Sequence, residues 1–227
     1  MNTVKGSLYV LFQSYKKQII TFWCILFSIV LFSLFIDTFF ELHMYSFFIM
    51  ISIPVYIFSS VMAAKLLNKT LSYFLRLGLC RLQFMFNVGL FFIYWSLVGA
   101  FIIGCTQKII TFVSNIFIIH PILFFNNSPS FLQTMALDTV LLLFFLTAGL
   151  LLNVVFYRLG TVGGYSFIGL LVLIPIVTII FKWYSSLFDL LSNISTFTLL
   201  SSLLIFSILL YSIITMAIRN ASVNPAA

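Results

Sequence analysis

Apolar residues run through this chain in long stretches, and the polar positions between them are few enough to act as boundaries. Six apolar runs of roughly 18 to 22 residues, each close to the ~20 that cross ~30 Å of hydrocarbon as a helix, fall at 19–36, 44–63, 83–104, 137–157, 164–181 and 197–217. They predict an all-α integral membrane fold with six spans. Pro54 and Pro175 lie inside the second and fifth runs, where a missing backbone donor predicts a kink that neighbouring helices repair. Ahead of the first run, Val4, Leu8, Leu11, Phe12 and Tyr15 recur at helical spacing, with Lys5, Gln13, Lys16 and Lys17 mostly elsewhere around the wheel. That pattern predicts an interfacial helix over 2–18.

Between the second and third runs the periodicity changes character. Over Lys65 to Arg81, the residues Lys65, Lys69, Ser72 and Arg76 fall at i, i+4, i+7 and i+11 of a helix, while Leu67, Leu71, Phe74, Leu75 and Gly78 line the other side. This is a short basic amphipathic helix between two apolar ones. The stretch from Ile109 to Phe125 is apolar but interrupted by Ser114, Asn115, His120 and Pro121, so 105–136 is expected as an extracellular or re-entrant loop. Leu187, Leu190 and Leu191 around Asp189 predict a second short extracellular helix over 183–193. No repeat or linker divides the chain, so 1–227 reads as one transmembrane domain.

Composition agrees with the pattern. Hydrophobic residues make up 63% and charged residues 7%, against about a quarter charged in soluble domains. The net charge of +7 does not point to nucleic acid, because a groove-reading protein needs a solvated basic domain that is missing here. Position explains the charge instead. With both termini inside, Lys5, Lys16, Lys17, Lys65, Lys69, Arg76, Arg81, Arg158 and Arg219 are cytosolic, and Lys108 and Lys182 are external. A seventh span through 109–125 would move Arg158 and Arg219 outside, which fits the rule less well. All four acids, Asp37, Glu41, Asp138 and Asp189, are then expected on the outer side. Cys24, Cys80 and Cys105 are too scattered for a disulfide framework or a thiol-redox pair. The first run is long enough to span and no small-residue cleavage site follows it, so it is expected to stay.

Candidate chemistry is sparse. The chain lacks H-E-x-x-H, G-x-S-x-G and G-K-[ST], and no expected span carries an ionisable residue near its middle, so no enzyme and no internally energised transporter is indicated. The run from Gly160 to Gly164 lacks the lysine of a phosphate loop and reads as a tight turn between the fourth and fifth spans. Glu41, His43 and His120 could meet at the outer face as metal ligands, but histidines in exposed loops are more often simply solvated. Asn87 and Asn153 are expected as interhelical hydrogen-bonding groups. Ser96, Ala100 and Gly104 form a small-residue stripe that suits close helix contact, internal or at a dimer seam. The 29 phenylalanines could furnish a lateral surface for amphipathic peptide or lipid.

The run Phe74-Leu75-Arg76-Leu77-Gly78-Leu79-Cys80-Arg81 resembles the cytosolic loop of small six-helix bacterial ABC transporter permeases of the type-2 exporter class, where a helix after the second span ends in Gly-x-x-Arg. Tyr157-Arg158-Leu159-Gly160 resembles a second cytosolic turn of such permeases. The order of leader helix, six spans and outer helix is also similar, whereas the long apolar loop between the third and fourth spans departs from it. Cys80 stands where relatives often carry a small hydroxyl residue. The resemblance implies that Lys65, Lys69, Leu71, Phe74, Leu75, Arg76, Gly78 and Arg81 belong to a coupling helix seated in an ATPase groove, with Tyr157, Arg158 and Gly160 in a second contact. It implies ABC ATPase partners that bind ATP and Mg, a second permease copy or similar chain, and location in the bacterial cytoplasmic membrane. Amphipathic peptides such as phenol-soluble-modulin-type toxins or bacteriocins, or hydrophobic compounds, would be the exported substrates. Plain attachment of the basic helix to anionic lipid, a substrate-capturing subunit of an energy-coupling-factor vitamin importer and a non-transporting scaffold remain alternatives.

Overall fold

The computed structural model describes residues 3–40, 51–114, 120–121, 130–181 and 195–219, and these are almost entirely helical. Four helices, within Lys5–Ile36, Arg81–Phe112, Phe131–Ile180 and Thr196–Arg219, are long and apolar enough to cross a membrane. The chain is a helical, membrane-embedded protein.

Helix α1 spans Thr3–Phe40 without interruption, so the expected interfacial helix and first span are one element. No proline lies within it to force a turn, and Ser14, Thr21 and Ser28 donate to the carbonyls of Val10, Lys17 and Cys24 at 2.7 to 2.9 Å, satisfying their hydroxyls along the helix. At 1.5 Å per residue its 38 residues reach about 57 Å, well beyond the ~30 Å of hydrocarbon. Helix α2 is Ser52–Ala64, with Pro54 in its first turn. In the first turn of α2 the N–H that proline lacks needs no intrahelical acceptor, so within the described residues Pro54 imposes no kink.

Helix α3, Leu66–Arg76, ends on a Schellman motif: Leu79 N–H donates to Phe74 O at 3.2 Å and Gly78 N–H to Leu75 O at 3.0 Å. Gly78 has φ +81°, the left-handed conformation this cap requires. Helix α4, Arg81–Ser114, continues past the third expected span through Thr106 and Thr111, so residues 105–114 are helix rather than loop.

Helix α5 spans Phe131–Ile180, and its start corrects the other edge of the expected loop. Ser130 Oγ accepts from Gln133 N and Gln133 Oε1 accepts from Ser130 N, a capping box that fixes the helix start six residues ahead of the expected span. Among the described residues of α5, non-helical backbone is confined to Gly160, at φ +70° and ψ −170°. There the helix divides into two arms that meet at the turn, where Phe156 meets Tyr165 edge-on at 5.6 Å and a Cβ on Gly164 would stand 2.2 Å from the Phe156 ring; beyond Tyr165 the second arm is largely exposed. The second arm continues through Pro175. Helix α6 is Thr196–Arg219. The outer helix expected at 183–193 lies outside the described residues, as do 41–50 at the start of the expected second span.

Cross-helix contacts fix the order of the bundle. Helix α2 runs parallel to the first arm of α5, with Tyr56 stacked on Phe145 at 5.4 Å and Asn153 donating to Ala63 O at 3.4 Å. Helix α4 runs antiparallel to both: Trp95 Nε1 donates to Ser59 Oγ at 3.1 Å, Gln107 Nε2 to Ser52 Oγ at 3.4 Å, and Leu142 abuts Gly99. Helix α6 lies along α5 and antiparallel to α4, with Leu199 on Leu137, Phe206 near Phe144, and Tyr211 donating to Met85 O. Helix α1 packs on this core through Phe12 against Phe91 and Tyr94, and through Phe22 stacked on Phe58 at 4.0 Å. Ser96 and Ala100 are fully buried and Phe131 packs on Gly104, so the small-residue stripe is an internal seam.

Helices α2 and α5 approach closely at Gly149. A Cβ on Gly149 would lie 2.1 Å from the backbone oxygen of Ser60, a backbone neighbour that cannot swing aside. Gly149→Val should therefore force α2 and α5 apart and cost at least the ~1–3 kcal/mol of an overpacked core. Gly169→Ala, with nothing within 4 Å of its Cβ, should be neutral or stabilising by up to about 1 kcal/mol. Thermal inactivation followed by size-exclusion chromatography in detergent ranks the two, and equal midpoints would show that the α2–α5 approach is not required.

Candidate functional site

One end of the bundle is basic. The first turn of α4, the last turn of α6, the C-termini of α2 and α3 and the Gly160 turn of α5 come together there, carrying Lys65, Arg76, Arg81, Arg158 and Arg219. Arg81 Nη1 donates to Ile218 O at 3.2 Å, placing a cation against the terminal carbonyls of α6, where the helix dipole favours positive charge. Cys80 N–H donates to Gln83 Oε1 at 3.3 Å, so the Gly78 turn leads directly into a capped α4.

Helix α3 lies on this end and contacts α2, α4 and α5. Its amphipathic pattern is resolved inward: Leu66, Leu67, Thr70, Leu71 and Phe74 are buried, and Phe74 packs on Phe84 at 5.4 Å. The sequence pattern leaves this apolar face free to enter a partner's groove, but the bundle supplies the apolar surface that covers it, so Leu71 and Phe74 are not available to a partner. Lys65, Asn68, Ser72, Tyr73, Arg76, Leu77 and Gly78 form the exposed side, and Leu75 is half-buried. At the second turn Tyr157 packs against the core while Arg158, Leu159 and Gly160 are exposed.

At the opposite end the structure assembles a polar cluster that sequence reasoning misses. Asp138, on the third turn of α5, is fully buried. Its Oδ1 accepts a hydrogen bond from the Tyr56 hydroxyl of α2 and lies 3.0 Å from His120 Nε2. His120 is 4% exposed, not the solvated loop residue expected. Asp138 Oδ2 is enclosed, with no hydrogen-bond partner among the described residues. The apolar pattern puts Asp138 at the outer surface because it stands at the start of an apolar run. The signal against that placement is the carboxylate itself, since an acid inside an apolar helix requires partners. Among the described residues no group of three metal-ligating side chains forms, and Glu41 and His43 lie outside them.

A third feature is a lateral groove of about 370 Å³ between α1 and α4, lined by aromatic and aliphatic side chains including Tyr9, Phe12, Tyr94 and Trp95, with Gln13 and Lys16 at its edge. Lys16 thus borders the middle of α4, apart from the basic end. Asn153 bridges α5 to the last turn of α2, as an interhelical group should, whereas the buried Asn87 Oδ1 has no partner among the described residues.

The burial pattern of α3 makes a direct prediction. Leu71→Asp or Phe74→Asp places an unpaired charge in the bundle and should abolish recovery of folded chain, whereas Tyr73→Ser and Arg76→Gln, on the exposed side, should stay within about 0.5 kcal/mol of the parent. The monodisperse fraction in detergent measures both, and a well-folded Phe74→Asp protein would contradict the packing of α3.

No protein-family model, curated protein or solved structure matches this chain, so its function is argued from its own residues and geometry.

Proposed function

We propose that the chain is the membrane-spanning permease subunit of an ATP-driven exporter, with six spans and both termini in the cytosol of a bacterium. It works as a homodimer or beside a similar chain, with two separately encoded ATPases that bind ATP and Mg. The observation that carries this reading is helix α3, a short amphipathic element whose apolar side is rooted in three helices of the bundle and whose basic side is exposed at the basic end. An element held only by lipid would turn its apolar side to the membrane. One rooted in the core can instead pass a displacement to the spans. Approach of two ATPases would draw two copies of α3 together and bias a two-state arrangement of α2, α4 and α5. The docking face is then Asn68, Ser72, Tyr73, Arg76 and Leu77, with Arg158 beside it, rather than Leu71 and Phe74.

The lateral groove beside α1 supports an amphipathic substrate. Its lining is apolar and aromatic with one cation at the edge, which suits a peptide or lipid-like compound carrying both an apolar face and an anionic or amide group.

Two experiments test this. Tyr73→Asp combined with Arg76→Glu should remove the co-purifying ATP-binding subunit while the chain remains folded, and Lys108→Gln at the opposite end should retain it. Undiminished ATPase recovery with the double variant would sink the coupling role of α3. For orientation, single cysteines at 108 and 158 in a background lacking Cys24, Cys80 and Cys105 should divide: 108 reacts with an impermeant thiol reagent in intact cells, and 158 reacts only after permeabilisation. Labelling of position 158 from outside would reverse the orientation.

A further inference from the structure

The apolar run of α1 begins only at Ile19, yet the helix joins the bundle before that point, which leaves polar residues at membrane depth. Phe12 packs edge-on against Phe91 and Tyr94 at 5.0 and 4.9 Å, and Tyr15 lies 6.2 Å from Phe91, which sets the register of α1 against α4. Tyr94 stands at the centre of the apolar run 83–104, with about 15 Å of helix on either side of it. Gln13 and Lys16, in the turn that follows Phe12, therefore border the lateral groove at a level where α4 is set to face hydrocarbon. A stem of four methylenes does not carry an ammonium from that depth to water.

A cation held inside the membrane calls for an anion. Lys16 is exposed and makes no ion pair among the described residues. Of the described acids, Asp37 lies about 30 Å further along α1, and Asp138 is fully buried, where it meets Tyr56 and His120. A second copy of the chain would carry its own Asp138 equally enclosed. The open side of the groove is left as the route for the anion, since Tyr9, Ile20 and Tyr94 of its lining are themselves exposed. Size then selects the shape of the guest. A helix 10–12 Å across fills roughly 400–600 Å³ in each turn, so the 370 Å³ of the groove holds less than one turn of a helical peptide, whereas a flexible acyl chain can lie along it.

We infer that the groove between α1 and α4 binds an anionic phospholipid, with its phosphate against Lys16, the Gln13 amide donating to the same headgroup and one acyl chain along Tyr9, Phe12, Tyr94 and Val98. A zwitterionic lipid brings its own cation beside the phosphate and offsets the attraction, so the net charge of the headgroup decides the preference. This narrows the amphiphile reading of the groove and rests on it, but binding itself involves no ATPase. For an exporter, a headgroup held away from both membrane surfaces is in the position of cargo in transit, which makes anionic lipid the substrate class.

The test uses the purified full chain in detergent with Trp23→Phe and Trp183→Phe, which leaves Trp95 of the groove as the sole tryptophan. Phosphatidylglycerol and phosphatidylcholine with brominated acyl chains, which quench tryptophan on contact, are titrated in separate samples. Quenching of Trp95 should reach its midpoint at a several-fold lower fraction of phosphatidylglycerol than of phosphatidylcholine. Lys16→Gln, on the exposed surface, should remove that difference, and Lys65→Gln at the basic end should retain it. Val98→Phe, which narrows the groove, should raise the midpoint for both lipids. Equal midpoints in the parent would overturn anionic-lipid recognition while leaving the groove to other amphiphiles, and a preference unchanged in Lys16→Gln would overturn it by assigning the charge effect to the surface at large. Release of bound phosphatidylglycerol by an acidic amphipathic peptide, at concentrations where unbrominated phosphatidylglycerol leaves it bound, would give the groove to peptide instead. All of these outcomes are read without α3 or a co-purifying ATPase, so failure here is separate from failure of the coupling role.

Discussion

The approach of α2 to the first arm of α5 is the constraint on which the rest of the bundle depends. At Gly149 the absent side chain lets the Ser60 carbonyl lie where a Cβ would be, and no other residue type permits that spacing. Small residues serve this purpose in membranes because apolar contact with lipid is as good as contact with another helix, so association relies on close packing and hydrogen bonds. Both are found along this seam. Tyr56 bonds Asp138 on one side of the glycine and Asn153 bonds the carbonyl of Ala63 on the other. A seam clasped at two depths holds α2 in register against α5.

That register positions the next element. Helix α3 follows α2 after the single residue Lys65, so its placement follows from the C-terminus of α2, and the Schellman cap at Gly78 then aims the chain into α4. Burial of Leu66, Leu67, Leu71 and Phe74 makes α3 part of the bundle rather than an appendage. In the proposed exporter this is what lets an event at its exposed side reach α5, and through α5 the Asp138 cluster at the other end. Both ends are attached to the same two helices.

The two ends differ in chemistry for a physical reason. The basic end carries long cations whose heads stay in water, and the Arg81 guanidinium caps α6. The opposite end encloses a carboxylate, which an apolar bundle tolerates only with donors directed at it. Tyr56 and His120 come from different parts of the chain to meet that demand.

Helical class and membrane residence follow from the sequence alone, because long uninterrupted apolar stretches have no other stable arrangement in water or lipid. Helix α6 falls almost where its apolar run places it, and the amphipathic character of α3 is written in the spacing of Leu67, Leu71 and Phe74. Hydropathy, however, locates apolar stretches and not helix ends. It therefore separates α1 into two elements and stops α4 ten residues early, where Thr106 and Thr111 read as polar although their hydroxyls bond within the helix. The start of α5 is legible in Ser130 and Gln133 as a capping box, a local signal that outranks hydropathy at a terminus. What covers the apolar side of α3, which partner Asp138 finds and whether the Ser96 stripe faces inward were decided only by tertiary structure. Each depends on residues far apart in the chain meeting across a helix interface, and periodicity within one helix carries no information about its neighbour.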